Sequence, residues 1–155
     1  MPAMSTRMAE AVQHSGLPYT LDDQIGFLLR RAYQRASSNL IERIGTFDLT
    51  APQFATLARL HERGLLSQNL LGRLVAMEPA NIRDVVRRLK KRRLVSTRRD
   101  SDDARLLLVS LTPAGRILIG ELLPIEIKCT EKTLSALNAR ERKLLYELLG
   151  RLADS

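Results

Sequence analysis

The sequence predicts a mainly α-helical chain with one small β-hairpin, and three features carry that expectation. Residues 78–105, EPANIRDVVRRLKKRRLVSTRRDSDDAR, join an amphipathic basic segment to a run of turn formers between β-prone stretches. Before them, capping signals mark two helices separated by short turns. At both ends of the chain lie helical segments with more apolar surface than so small a domain covers by itself. Helix, turn, helix and hairpin over about 45 residues is the spacing of a winged helix-turn-helix. The terminal segments then form a helical dimerisation region.

Taken in order, residues 1–20 show no periodicity, contain Gly16 and Pro18, and read as a flexible arm. Thr20-x-x-Asp23 has the form of a capping box with Asp in place of Glu. The helix after it keeps Ile25, Leu28, Leu29, Ala32, Ala36, Leu40 and Ile44 on one face, with Gly45 as its terminating residue. Thr50-x-x-Gln53 is a fuller box, with Pro52 in the first turn. Phe54, Leu57, Ala58 and His61 share one side of the helix that follows, and Gly64 ends it. Leu65-Leu66 fits a short strand. Ser67 caps a short helix from Gln68 to about Val75, and residues 76–78 turn the chain into the basic helix.

That helix opens at Pro79, whose missing N–H costs nothing at a first helical position. Ile82, Val85, Val86 and Leu89 fall at i, i+3, i+4 and i+7 and form one apolar stripe. Ala80, Asn81, Arg83, Asp84, Arg87, Arg88 and Lys91 occupy the other face. A stripe that docks the helix, backed by cationic and amide groups, is what a major-groove helix requires. Arginine pairs with guanine, asparagine with adenine, and further basic groups hold phosphates. The hairpin is read as strands at 94–97 and 106–111 around a turn at 98–105.

Thr112-Pro113 supplies an N-cap and a first helical residue. Pro124 is expected to kink the resulting helix, which resumes to about Ala136. Asn138-x-x-Glu141 opens a last helix with Leu144, Leu145, Leu148, Leu149 and Leu152. Apolar surface left on terminal helices marks an interface, unless those helices cover one another within a monomer. A two-fold dimer would cover it and set two basic helices one DNA turn apart.

The chain has 155 residues, a formal net charge of +8 and 45 % hydrophobic residues, enough for one core and a polyanion partner. Aromatic residues make up only 4 %, with no Trp, which disfavours stacking platforms for single strands. One cysteine, Cys129, and two histidines, His14 and His61, cannot build a four-ligand zinc site. No signal-type apolar core or membrane-length run is present, so a cytoplasmic protein is expected. No phosphate loop, nucleophile motif or metal cluster suggests an enzyme or a cofactor. Asp100, Asp102 and Asp103 sit among arginines in a polar turn and read as solvated residues. A basic RNA-binding or protein-interaction module is the alternative that charge alone leaves open.

The sequence resembles the MarR family of winged-helix regulators over about residues 22–153. The pieces are Leu49-Thr-Ala-Pro-Gln-Phe54, Ser67-Gln68, Pro79-Ala-Asn-Ile-x-x-Val85-Val-x-x-Leu89, Leu94-Val95, Asp103-Ala-Arg105 and Leu111-Thr-Pro-Ala-Gly-Arg116. The run 69–77 resembles members that sense aromatic acids such as hydroxynicotinate. The resemblance implies a homodimer on a palindromic operator of double-stranded DNA. It also implies a repressor released by a small aromatic carboxylate. Dimerisation helices would lie at about 21–45 and 113–154, and the winged helix-turn-helix at about 50–112.

By match, Asn81, Arg83, Asp84 and Arg87 fall in the recognition helix, with Arg88 and Arg98 among the further DNA-facing residues. Arg105 falls at the wing arginine of the minor groove and Asp103 at the acid that orients it. Ser67 and Gln68 fall at a helix start that meets phosphate. Arg93 stands where the family usually has glycine. Asp84 is either a partner for cytosine or a holder of neighbouring arginines. Arg30, Tyr33, His61, Arg73 and Met77 offer a cation, rings and a thioether for an aromatic carboxylate. Cys129 reads as a buried, inert thiol, and His61 reads as a satisfied core histidine more readily than as a ligand contact.

Overall fold

The computed structural model describes residues 18–155, so the arm expected at 1–20 falls almost wholly outside the described residues. The described residues divide into two compact units, with the boundary between Ala36 and Ser37.

In the first unit a single 3-10 turn, Leu21–Asp23, precedes helix α1, Ile25–Ile44, which crosses the unit boundary. The box expected at Thr20 does not form. The Thr20 side chain caps nothing, and its carbonyl accepts from Asp23 N–H and from the Gln24 amide. Asp23 is one methylene shorter than the Glu that completes such a box, and Gln24 is extended, so the turn cannot propagate into the helix.

In the second unit α1 ends at Ile44, and residues Gly45–Phe47 form another 3-10 turn. The left-handed residue here is Asp48, with φ 56°, and not Gly45. Helix α2, Ala51–Arg63, starts in the expected box: Gln53 N–H donates to Thr50 Oγ1 and Thr50 N–H to Gln53 Oε1. Gly64, at φ 75°, ends it. Strand β1, Leu66–Ser67, leads into helix α3, Gln68–Leu74, capped by Ser67 Oγ, which accepts from Leu70 N–H.

The turn from α3 to α4, Pro79–Lys91, closes with paired bonds from Ala76 N–H to Arg73 O and from Met77 N–H to Gly72 O. That pattern puts Ala76 at φ 54°, a left-handed position usually given to glycine. The same motif ends α4: Arg93 N–H donates to Lys90 O and Leu94 N–H to Leu89 O, with Arg93 at φ 57°. Left-handed backbone costs a residue with a side chain about 1–2 kcal/mol. The motif offsets this by satisfying two terminal carbonyls and burying Leu94 against Leu89, both core residues.

Strands β2, Val95–Arg99, and β3, Leu107–Leu111, form the hairpin, and β1 adds to β3, giving the antiparallel order β1-β3-β2. Pairing of Arg98 with Leu108 and of Arg99 with Leu107 draws both arginines into β2. The turn expected from residue 98 therefore starts at Asp100, because ladder bonds on an exposed edge outweigh the weak turn preference of arginine. Helix α5, Pro113–Thr133, runs continuously through Pro124 and ends short of Ala136. The carbonyl that Pro124 leaves without a donor is that of Gly120, which is exposed to water. Helix α6, Ala139–Ala153, opens in the expected Asn138–Glu141 box.

The core of this unit draws on the end of α1, on α2 to α5 and on the sheet. Leu57 and Leu60 come from α2, Leu71 from α3 and Ile82, Val86 and Leu89 from α4. Val95 and Val109 come from the sheet and Ile119 and Leu122 from α5. The apolar stripe read on α4 is thus buried, Val85 included at 9 % exposure. Cys129 is buried as expected, its Sγ–H donating to Asn39 O. Among the described residues no helix is long and apolar enough to cross a membrane.

Candidate nucleic-acid interface

Burying the stripe of α4 leaves Asn81, Arg83, Arg87 and Arg88 exposed on its other side. Asp84 lies among them. Its Oδ1 accepts from Arg87 Nη2 at 2.5 Å and its Oδ2 from Arg88 Nε at 2.8 Å. The hydrogen bond from Arg87, more than the one from Arg88, holds the Asp84 carboxyl below the usual carboxylate range. Of the roles open to Asp84, the structure adopts that of holding arginines. Pairs this exposed add little stability, but they fix where two guanidiniums stand.

The wing is organised by two aspartates. Asp100 Oδ1 accepts the N–H of Asp102 and of Asp103, which closes the tip. Asp103 then grips Arg105 through a fork: Nε to Oδ1 at 3.0 Å and Nη2 to Oδ2 at 3.1 Å, with Arg105 N–H also on Oδ1. The Arg105 side chain is 90 % exposed, so the fork presents it to solvent in one orientation. The Arg105 side-chain bond holds Asp103 below its ordinary range, and Asp103 raises Arg105 in turn. Neither group is an acid–base candidate near neutrality.

Two clefts flank α4. One, of about 260 Å³, lies between the start of α3, α4 and the wing, lined by Ser67, Gln68, Asn69, Arg83, Arg99 and Arg105 with two leucines. The other, of about 500 Å³, lies between the start of α2 and the end of α4. It is lined by Arg87, Arg88, Lys91 and Arg92 with Asp48, Thr50 and Gln53. Arg92 is anchored there, its guanidinium donating to Asp48 O and Phe47 O. Arg98 lies on β2 outside both clefts, exposed.

Thus Ser67, Gln68, Arg83 and Arg105 share one cleft, and Arg87 and Arg88 the other. Asn69, Arg92 and Arg99 were not expected in either. Arg99 was missed because it read as part of a polar turn. The strand register that carries it into the cleft is invisible to composition.

The expected effector residues are divided between the two units. Arg30 and Tyr33 belong to the first unit and are exposed. In the second, Arg73 is exposed and Met77 packs against the core. His61 is exposed and not on an inner side, because the last turn of α2 projects past the core together with Glu62, Arg63 and Gly64. Among the described residues no group of three or more His, Cys, Asp or Glu could hold a metal ion.

Residues 49–107 match the MarR family. The HTH-type transcriptional repressor NicR of Pseudomonas putida is 38 % identical over 138 residues, 89 % of this chain and 87 % of NicR. A probable transcriptional regulator from Pseudomonas aeruginosa, known by its crystal structure, is 47 % identical. It superposes with a TM-score of 0.80 over 86 % of this chain and 99 % of its own. Bordetella bronchiseptica BpsR, whose structure concerns regulation of its DNA binding by 6-hydroxynicotinic acid, is 38 % identical. Its TM-score is 0.84 over 89 % of this chain and 99 % of BpsR. With its winged helix matched by the family and a relative 38 % identical over most of both chains, the chain belongs to the MarR family.

Proposed function

We propose that the protein is a sequence-specific transcriptional repressor that binds a palindromic DNA operator as a homodimer and is released by a small aromatic carboxylate. The observation that carries the DNA reading is the pairing of α4, whose exposed face is basic, with a wing that holds Arg105 out in a fixed orientation. A helix sized for the major groove and a single arginine aimed past it fit the two grooves of one duplex. Asn81 and Arg87 are the groups suited to base edges. Ser67, Gln68, Arg88 and Arg98 are suited to the backbone. The dimerisation helices are assigned to about 21–45 and 113–154. Such a protein works where the chromosome lies, in the cytoplasm, and needs no catalytic group or cofactor.

Footprinting on the DNA upstream of its own and neighbouring genes, followed by titration of the site found, tests this reading. Arg105→Ala is expected to weaken operator binding by about 1–3 kcal/mol, the scale of one good groove contact. Unchanged affinity would remove the wing from the interface. A preference for structured RNA over every duplex would favour the RNA-binding alternative.

The effector reading is supported by the likeness to BpsR; Arg30, Tyr33, His61, Arg73 and Met77 are its candidate residues by chemical type alone. A ligand alters DNA affinity only by preferring a state the operator does not. Calorimetry with benzoates, salicylates and hydroxynicotinates is expected to find one that binds and lowers operator affinity by about 1–3 kcal/mol. Binding without that effect, or no binding by any of them, would sink the aromatic-acid idea and leave DNA binding standing.

A further inference from the structure

We propose that the cleft between α4 and the wing is a seat for a single backbone phosphate, held by Arg83 and Arg99 with Arg105 at its rim. The inference rests on the DNA-binding reading above. It adds a backbone contact, made through Arg99 of β2 as well, to the base contacts of α4 and the groove contact of the wing tip.

The cleft brings three guanidiniums from three places in the chain: Arg83 from α4, Arg99 from the end of β2 and Arg105 from the wing turn. One carboxylate, Asp103, answers them, and it is committed to Arg105. Arg83 and Arg99 make no ion pair among the described residues, and Arg99 reaches only the Arg105 carbonyl at 3.4 Å. Two cations left unneutralised beside a third, over an open cleft of about 260 Å³, lack an anion. Ser67, Gln68 and Asn69 on the opposite wall add polar groups.

Groove geometry names the anion. A helix in the major groove and a wing in the adjacent minor groove must straddle the one sugar–phosphate strand that separates them. The cleft is the gap between those two elements, so that strand runs across it. A phosphodiester also suits forked guanidinium donors, which match its oxygens in pairs. Arg83 therefore serves the backbone, and Arg87 and Asn81 are left to the bases.

The test uses the full chain with its operator and with a random duplex. Arg99→Ala is expected to weaken both alike, about ten-fold per contact near 0.1 M salt, and to lower the salt-dependence slope by about 0.9 per contact. Arg99→Lys keeps the charge and is expected to restore most of the slope. A scan of single methylphosphonates should find one position per half-site that costs the wild type more affinity than it costs Arg99→Ala, Arg83 still holding that phosphate in the variant.

A loss confined to the operator, or a scan in which every position costs both proteins equally, overturns the phosphate seat while DNA binding stands. Failure of the wild type to bind any duplex overturns the DNA reading and the seat with it. Inorganic phosphate at constant ionic strength is expected to compete no better than chloride. Competition that Arg99→Ala abolishes would make the cleft a site for free anions instead.

Discussion

Gly115→Ala is expected to destabilise the protein by about 3 kcal/mol or more, the upper end for overpacking a closed site. Gly115 sits in the first turn of α5, and a methyl group placed there would stand 2.1 Å from the Leu94 carbonyl oxygen and 3.1 Å from its carbon. The obstacle is backbone, so no rotamer relieves it. It is also pinned from both sides. Thr112 N–H donates to Leu94 O and Thr112 Oγ1–H to Arg93 O, while Gly115 N–H donates back to Thr112 Oγ1. The end of α4, the start of the wing and the start of α5 therefore meet at one glycine. For a chain this size the loss corresponds to a melting temperature lower by roughly 6–12 °C, read by circular dichroism. Gly120→Ala, with nothing within 4 Å of the added carbon, is the control and should leave the melting temperature level or slightly raised. A Gly115→Ala protein that melts within about 2 °C of wild type would mean that this junction is looser than its hydrogen bonds imply.

The same junction shows what the sequence makes legible and what it hides. The Leu-Thr-x-x-Gly run stood out as a pattern, but its physical cause is a contact with Leu94, some twenty residues away in the chain. No local rule supplies that. Gly72 is alike: an added methyl there would stand 2.9 Å from Ile82 Cγ2, so glycine lets α3 press against α4. By contrast, the boxes at Thr50 and Asn138 and the stripe Ile82, Val85, Val86 and Leu89 are local patterns, and they were read correctly. The box at Thr20 shares the pattern and fails, because Asp23 is too short and Gln24 is extended.

For the interface, the sequence named residue types well and neighbours poorly. That α4 is cationic and the wing tip charged follows from composition. That Asp84 spends both oxygens on Arg87 and Arg88 is a local i+3, i+4 pairing, one of the two roles its position left open. That Arg99 joins Arg83 depends on strand register, and that Arg92 ties the end of α4 to the turn at Phe47 and Asp48 depends on contacts more than forty residues apart. The left-handed residues Asp48, Ala76 and Arg93 were equally hard to see, since only Arg93 was marked, by a missing glycine.

Leu148→Glu combined with Leu152→Glu is expected to convert the protein to a monomer and to lower operator affinity by about 10³-fold or more. No residue of α6 is buried within one chain, although Leu144, Leu148, Leu149 and Leu152 are spaced along it as an apolar face. Leu152 is 58 % exposed and Leu148 43 %, and on α5 Ile117 and Ile127 are exposed as well. A helix gains most of its stability by packing such a face, so a second copy of the chain is the natural cover. Two glutamates at that cover bring like charges into a desolvated surface and leave the core of a single chain untouched. A monomer keeps half the phosphate contacts, and a site bound with typical specific affinity falls to micromolar or weaker. Light scattering on the eluting protein gives the mass, circular dichroism checks that the helices remain, and an operator titration gives the loss. A double variant that stays dimeric, or a wild type that is monomeric at every concentration yet binds tightly, would move the interface off α6 and leave its leucines to another partner.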